Sequence, residues 1–165
     1  MQEGKLFATL RNLVEGEVQF ILVGGLAAVL YGAPIQTYDV DVVYSRDPAN
    51  IDRILAVLQP LDAVFRIQPE RRLHPNKSHL AGGGHLNLIT RFGPLDLLGT
   101  IGQDLGFVEL LPLSTEMEIG GGVRVHVLNL ETIISIKEQL GSEKDLGVLP
   151  ILRRTLSERR ERMET

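Results

Sequence analysis

The stretch VGGLAAVLYGAPIQTYDVDVV, residues 23–43, decides the fold of this chain because two strand patterns meet there across a glycine pair. The apolar run 19–23 predicts a first strand, and Gly24-Gly25 then permits a sharp turn and the close approach of a ligand. Residues 26–31 predict a short helix, whose first N–H groups and positive dipole end suit a phosphate. Residues 39–44 predict a second strand. A glycine pair also occurs in ordinary tight turns, so alone it indicates little.

Two aspartates stand two positions apart at the start of the second predicted strand. Asp39 and Asp41 point to one face, about 6.6 Å apart along the chain, while Val40 and Val42 point into the core. Two carboxylates so close repel each other unless a cation lies between them. Mg²⁺ prefers hard oxygen ligands and often uses one or two carboxylates together with substrate phosphates. The pattern therefore indicates either a magnesium site or the solvated face of a half-exposed strand.

A third carboxylate, Asp96, interrupts the otherwise apolar strand pattern of residues 93–98. A buried carboxylate without a partner is costly or has a raised pKa, so Asp96 faces either water or a charge. If its strand neighbours the strand of Asp39 and Asp41, three carboxylates converge. That arrangement suits two metal ions about 3.5–4 Å apart, with Asp96 as a ligand or as a base.

The composition limits the classes of function. The chain has 165 residues, of which 44% are apolar and 23% charged, as is typical of one globular domain. The formal charge of −4 gives no global attraction to nucleic acid or to an anionic membrane, and a local basic patch stays open. The absence of cysteine excludes disulfides, thiolate zinc sites and cysteine nucleophiles. The N-terminus does not resemble a signal peptide, so we expect a cytoplasmic protein without membrane association.

Hydrophobic spacing and turn residues predict the remaining elements. Predicted helices cover residues 5–15, 26–31, 51–58, 130–140 and 144–162, and Asp47-Pro48 is the start signal of the third. Predicted strands cover residues 19–23, 39–44, 63–68, 85–90, 93–98, 117–119 and 123–127. Residues 69–84, with two prolines and three consecutive glycines, predict a mobile loop. We expect one domain over residues 1–165, with a core over about 17–128 and a helical part over 129–165.

These features together resemble a known superfamily. The sequence Val23-Gly24-Gly25, followed after thirteen residues by Asp39-Val40-Asp41-Val42, resembles the signature of the DNA polymerase beta-type nucleotidyltransferases. The fuller stretch is most similar to the minimal nucleotidyltransferases, and among these to the abortive-infection toxin branch of type IV toxin–antitoxin pairs. Residues 95–98 match the strand of the third carboxylate, and the spacing from Leu130 to Lys137 also resembles that branch.

The resemblance implies an α+β fold, in which helices flank a mixed β-sheet and further helices follow at the C-terminus. It implies transfer of a nucleoside monophosphate from an NTP, such as ATP, to an acceptor, with release of pyrophosphate. It also implies Mg²⁺ or Mn²⁺ as cofactor and a cognate small protein as partner. The acceptor is left open between RNA, a protein hydroxyl and a small molecule.

The resemblance assigns roles to individual positions. Gly24 and Gly25 would cradle the triphosphate, and Thr37, shortly before the first aspartate of the signature, would also be a nucleotide-binding residue. Asp39, Asp41 and Asp96 would be the catalytic residues and metal ligands. Lys137 would neutralise phosphate charge, although an exposed helix lysine is an equally simple interpretation.

One residue departs from the pattern of this branch. Gln36 stands where its members often have an arginine, and glutamine lacks the charge and the fork geometry of arginine. Arg46, Arg66, Arg71, Arg72 and Arg91 are candidates to compensate. The alternative function is a catalytically silent module of a toxin–antitoxin-like pair that binds a nucleotide or a partner.

Two other groups of residues have a functional and a simpler interpretation. His74, His79 and His85 indicate either a zinc site or, given their irregular spacing, solvated side chains. The basic residues of 66–77 indicate either a contact to a polyanion such as RNA or a solvated loop.

Overall fold

The computed structural model describes residues 4–164. The helices are α1 (Lys5–Glu15), α2 (Gly24–Leu30), α3 (Pro48–Leu58), α4 (Lys77–Ala81), α5 (Phe107–Leu110), α6 (Leu130–Leu140) and α7 (Glu143–Glu164). The strands are β1 (Phe20–Val23), β2 (Val40–Tyr44), β3 (Val64–Phe65), β4 (His85–Thr90), β5 (Gly93–Leu98), β6 (Thr100–Ile101), β7 (Leu105–Gly106), β8 (Ser114–Gly120) and β9 (Val123–Leu128). Single 3₁₀ turns cover Pro69–Arg71 and Leu111–Leu113.

The main sheet is mixed and has the strand order β3-β4-β5-β2-β1-β9-β8. Strand β2 runs parallel to β5, and β1 runs parallel to β9, whereas β1 and β2 are antiparallel neighbours. Strands β6 and β7 form a separate two-stranded ribbon. The predicted α+β fold, with a mixed sheet, flanking helices and two C-terminal helices, is confirmed.

The core lies on both faces of the central strands. Every residue of β1 is buried, and Val40, Val42 and Val43 of β2 have no exposed surface. Helix α6 packs against α7 and continues the core through Leu130 and Ile133. No helix between residues 4 and 164 has both the length and the apolar character that a membrane span requires.

The segment 69–84, predicted as a mobile loop, contains regular structure. Helix α4 begins behind Asn76, whose side chain accepts a hydrogen bond from the His79 N–H at 3.0 Å. The ring of His79 in turn accepts from the Asn76 N–H at 3.0 Å. This reciprocal cap normally has Glu or Gln at the third helical position, so a histidine there did not signal a helix. The strand predicted over 63–68 covers only Val64–Phe65, and Gln68, at the end of the predicted range, has a left-handed φ of 53° that no strand residue adopts.

One buried asparagine, Asn50, ties β1 to β2 at the end of the pair that lies away from the aspartates. Asn50 of α3 is fully buried and accepts a hydrogen bond from the Gln19 N–H at 2.7 Å. Its amide donates to the carbonyl of Gln19 at 3.0 Å and to that of Ser45 at 2.8 Å. Gln19 precedes β1 and Ser45 follows β2, so this one side chain fixes the antiparallel pair at the end opposite the glycine turn.

We predict that Asn50→Ala lowers the free energy of unfolding by about 1–3 kcal/mol, because the Gln19 N–H and the Ser45 carbonyl lose their partner, whereas the Gln19 carbonyl keeps a hydrogen bond from the Ser45 N–H. Urea denaturation measures the loss. Arg53→Ala, at an exposed position of the same helix, is the matched control and should change stability by less than about 0.5 kcal/mol. Equal losses in the two variants would contradict the prediction.

Candidate active site

Three carboxylates meet at the centre of the sheet. Asp39 lies just before β2, Asp41 lies within it, and Asp96 lies on β5 directly beside Asp41 in the parallel register. One carboxylate oxygen of each residue lies within 4.8 Å of the others. Val40 and Val42 face away from them into the core. The expected convergence of the three side chains is therefore confirmed, whereas their chemical roles stay a prediction.

The close approach of these acids changes their electrostatics. Burial, a hydrogen bond to Asp96 and the negative charges of Asp96 and Asp39 together raise the pKa of Asp41 to about 7. The positive charge of Arg66 acts in the opposite direction. A site that resists the loss of a proton in this way gains stability from an added cation.

Arg66 is a member of the site that sequence reasoning named only as one of several basic residues. It follows β3, and its Nη2 lies 2.9 Å from Asp96 Oδ1. Its Nη1 donates to the carbonyl of Leu88 at 3.3 Å, which holds the guanidinium in place. The side chain of Asp96 is only 13% exposed, whereas that of Arg66 is 36% exposed, so the carboxylate is the more shielded partner of this ion pair. No local signal could have identified Arg66, since thirty positions separate the two residues.

The glycine pair packs directly against the carboxylates. A Cβ on Gly24 would lie 2.3 Å from Asp41 Oδ2, and its φ of +74° is itself unfavourable for any residue with a side chain. A Cβ on Gly25 would lie 3.1 Å from Thr37 Oγ1. The two glycines thus leave the space that Asp41 and Thr37 occupy.

A cleft of about 480 Å³ opens beside these residues, between α2 and the start of α7. Six of the seven predicted site residues line it: Gly24, Gly25, Thr37, Asp39, Asp41 and Lys137. Asp96 lies behind Asp41 and does not line it. Gln36 also faces the cleft, where its Oε1 accepts a hydrogen bond from the Tyr38 hydroxyl at 3.2 Å.

Lys137 lies on the far wall of the cleft. Its Nζ lies 3.2 Å from Asp145 Oδ1, and its side chain is 24% exposed. A hydrogen bond from Ser142 lowers the pKa of Asp145, and the hydrogen bond and positive charge of Lys137 lower it further. Lys144 also lines the cleft, so this side contributes two lysines together with the carboxylate of Asp145.

The other candidate residues have structural partners. His74 Nδ1 lies 3.0 Å from the carbonyl of Ala63, and His79 caps α4. Among the described residues, Asp39, Asp41 and Asp96 form the one group of at least three ligand residues close enough to hold a metal ion.

The basic run that could have contacted RNA is largely neutralised within the chain. Arg66 pairs with Asp96, Arg72 pairs with Asp62, and Lys77 Nζ lies 3.1 Å from Asp52 Oδ1. Arg71 donates to the side chain of Gln68 at 3.4 Å. Three of the four Lys and Arg residues of this run therefore lie beside a carboxylate, although the pairs of Arg72 and Lys77 are exposed to solvent.

Comparison with solved structures identifies the architecture. The lincosamide antibiotic adenylyltransferase LnuA, solved with lincomycin bound, aligns with a TM-score of 0.61 and 14% identity over 93% of this chain and 97% of its own. A Thermotoga maritima protein, whose assignment as a nucleotidyltransferase is itself a prediction, aligns with a TM-score of 0.55 and 20% identity over 93% and 91%. This chain has the nucleotidyltransferase fold. No protein-family model and no curated protein matches the sequence.

The nucleotidyltransferase fold agrees with the superfamily predicted from the glycine pair and the aspartates. Membership of the abortive-infection branch stays a prediction. The donor set of three carboxylates fits a hard divalent cation, and Gly24 leaves room for Asp41 to take part. On these observations the residues present fit Mg²⁺ or Mn²⁺.

We predict that Asp41→Asn stabilises the metal-free protein at neutral pH by about 1–3 kcal/mol. The pKa of Asp41 is about 7 in the folded state and 3.8 in the unfolded state, so the folded state holds a proton that the unfolded state releases. The stability from this proton is present below about pH 4 and is lost as the pH rises through 7. Urea denaturation in EDTA should therefore show a larger gain at pH 8 than at pH 5. Asp52→Asn is the control, and an equal gain at both pH values would contradict the prediction.

We predict that Gly24→Ala weakens Mn²⁺ binding about tenfold or more, because the added methyl group displaces Asp41. Gly122→Ala is a matched control, since Gly122 has a φ of +78° and a Cβ there would contact nothing within 4 Å. Both variants should lose about 1–2 kcal/mol of stability from the left-handed backbone. Titration followed by electron paramagnetic resonance separates the two effects, and equal Mn²⁺ affinities would contradict the prediction.

Proposed function

We propose that this protein is a divalent-metal-dependent nucleotidyltransferase, which transfers a nucleoside monophosphate from an NTP to a hydroxyl group. The observation that carries the proposal is the group of Asp39, Asp41 and Asp96, with oxygens within 4.8 Å of one another, beside the Gly24-Gly25 turn. The nucleotidyltransferase fold supports the same reaction class.

In this proposal the donor lies in the 480 Å³ cleft. Gly24 and Gly25 allow its phosphates to approach the backbone, and Lys137 and Lys144 balance their charge from the opposite wall. Lys137 would then exchange its contact with Asp145 for a phosphate oxygen.

The carboxylates hold the reacting groups in place. Asp39 and Asp41 would bind Mg²⁺ or Mn²⁺, and such an ion supplies positive charge to phosphate oxygens. Asp96 completes the ligand group, and Arg66 fixes its orientation. Thr37 supports the loop before β2, since its Oγ1 lies 3.5 Å from the carbonyl of Asp39.

For the acceptor, the proposal favours a small molecule over RNA. The basic residues near Asp96 have acidic partners within the chain, and the net charge is −4. LnuA was solved with an antibiotic bound, which supports a small acceptor for a chain of this fold. A protein hydroxyl and a cognate small protein partner are further proposals that the assay below can address.

We predict that the wild-type protein releases pyrophosphate from at least one of the four NTPs with Mg²⁺ or Mn²⁺ and a pool of hydroxyl compounds. Asp39→Asn and Asp41→Asn should lower the rate about 100-fold or more, because they remove charge where the phosphates react. Asp52→Asn, an exposed carboxylate outside the site, should keep full activity. Equal rates in all variants would contradict the proposal.

The same variants, with an added binding measurement, distinguish an active enzyme from the catalytically silent module that Gln36 motivates. Calorimetry with each NTP measures binding independently of turnover. NTP binding without pyrophosphate release from any acceptor pool, including cell RNA and protein, would favour the catalytically silent module.

A further inference from the structure

A second cavity lies directly beside the carboxylates. It has a volume of about 150 Å³ and shares Gly24, Asp41 and Lys137 with the larger cleft. Any molecule that occupies it therefore contacts side chains that would also face the reacting phosphates.

The chemistry of the second cavity differs from that of the cleft. Apart from the three shared residues, its lining is entirely aliphatic. Leu128 and Ile133 are buried on its inner side, and Ile101 is half-buried. Leu140, at the end of α6, is 59% exposed, so the cavity reaches the surface there.

A simple packing defect does not account for this arrangement. Protein interiors are close-packed, and voids larger than a water molecule are few. Asp41 and Lys137 belong to the lining of this space, whose surface is otherwise almost wholly apolar, and it reaches an exposed leucine. An apolar space at such a place suits a ligand that has one apolar and one polar end.

We infer that this cavity binds the apolar group of the acceptor, and that the acceptor is a small hydroxyl compound whose hydroxyl lies at the Asp41 end. The inference rests on the proposed function. An apolar cavity of about 150 Å³ accommodates benzene, so the apolar group is no larger than about a six-carbon ring or chain.

The proposed transfer step needs only the acceptor hydroxyl, the NTP and the carboxylates of the site. The acceptor oxygen forms a bond to the α-phosphorus of the NTP, and the bond from that phosphorus to the oxygen bridging to the β-phosphorus breaks. Pyrophosphate leaves with the electron pair of the broken bond. The hydroxyl proton passes to a carboxylate of the site and from there to water.

Binding is tested without any nucleotide, on the full chain labelled with ¹³C in the isoleucine methyl groups. The probe is 2-phenylethanol, with glycerol as the polar control. We expect saturable shifts of the Ile101, Ile133 and Ile136 signals at about millimolar 2-phenylethanol and none with glycerol. The signal of Ile54, which is buried under the sheet in α3, should not move.

Two variants make the binding test specific. Ile136→Phe and Leu98→Phe each fill the cavity from a different wall and should abolish the shifts of the remaining signals. Ile151→Phe, at a position of α7 that does not line the cavity, should preserve them. The absence of shifts in the wild type, equal shifts with glycerol, or shifts that persist in both cavity variants would overturn the inference.

Transfer is then measured by mass spectrometry of the product with each NTP and Mg²⁺. We expect kcat/KM for 2-phenylethanol to exceed that for ethanol or glycerol about tenfold or more, and to fall by that factor in the cavity variants. Binding without transfer, in a protein that modifies polar acceptors, would overturn the assignment. Binding in a protein that releases no pyrophosphate at all would keep the cavity as a ligand site and count against the proposed function instead.

Discussion

The parallel pairing of β2 with β5 places two carboxylates side by side at the centre of a folded domain. Like charges at this separation in a shielded place oppose folding, and the surrounding structure compensates for them. Arg66 pairs with Asp96, while Asp41 keeps a pKa of about 7. The fold therefore retains an electrostatic conflict at its centre, of the kind that clusters at functional sites and also occurs in structural ion-pair networks.

Much of the fold could be predicted because its signals are local. The predicted helix over 5–15 and the strands over 85–90 and 93–98 match the structure residue for residue. Their periodicity and turn residues lie within a few positions of one another, so the sequence carries the information directly. The segment 100–113 gave no prediction, because β6, β7 and α5 are too short for any period to develop.

The features of the site also fall into two groups, those with a local sequence signal and those without one. The glycine pair and Asp39 and Asp41 occupy one continuous motif, and Asp96 stood out as a charge in an apolar strand. Two features of the site exist only because distant elements pack together. Arg66 joins the site through its ion pair with Asp96, and the apolar cavity is a space between α6 and β5. The resemblance supplied the role of Lys137, and the structure adds that this lysine already has an ionic partner.

The C-terminal helix is tied to Tyr31, at the end of α2. Arg159 Nη1 donates to the carbonyl of Tyr31 at 3.2 Å, and its guanidinium lies 5.0 Å from the centre of the Tyr31 ring. The Tyr31 hydroxyl donates to the carbonyl of Val127 at 3.3 Å. At its other end, α7 follows Gly141, and the contact between Lys137 and Asp145 joins it to α6. Contacts at both ends of α7, one to the end of α2 and one to α6, therefore fix the wall that this helix contributes to the cleft.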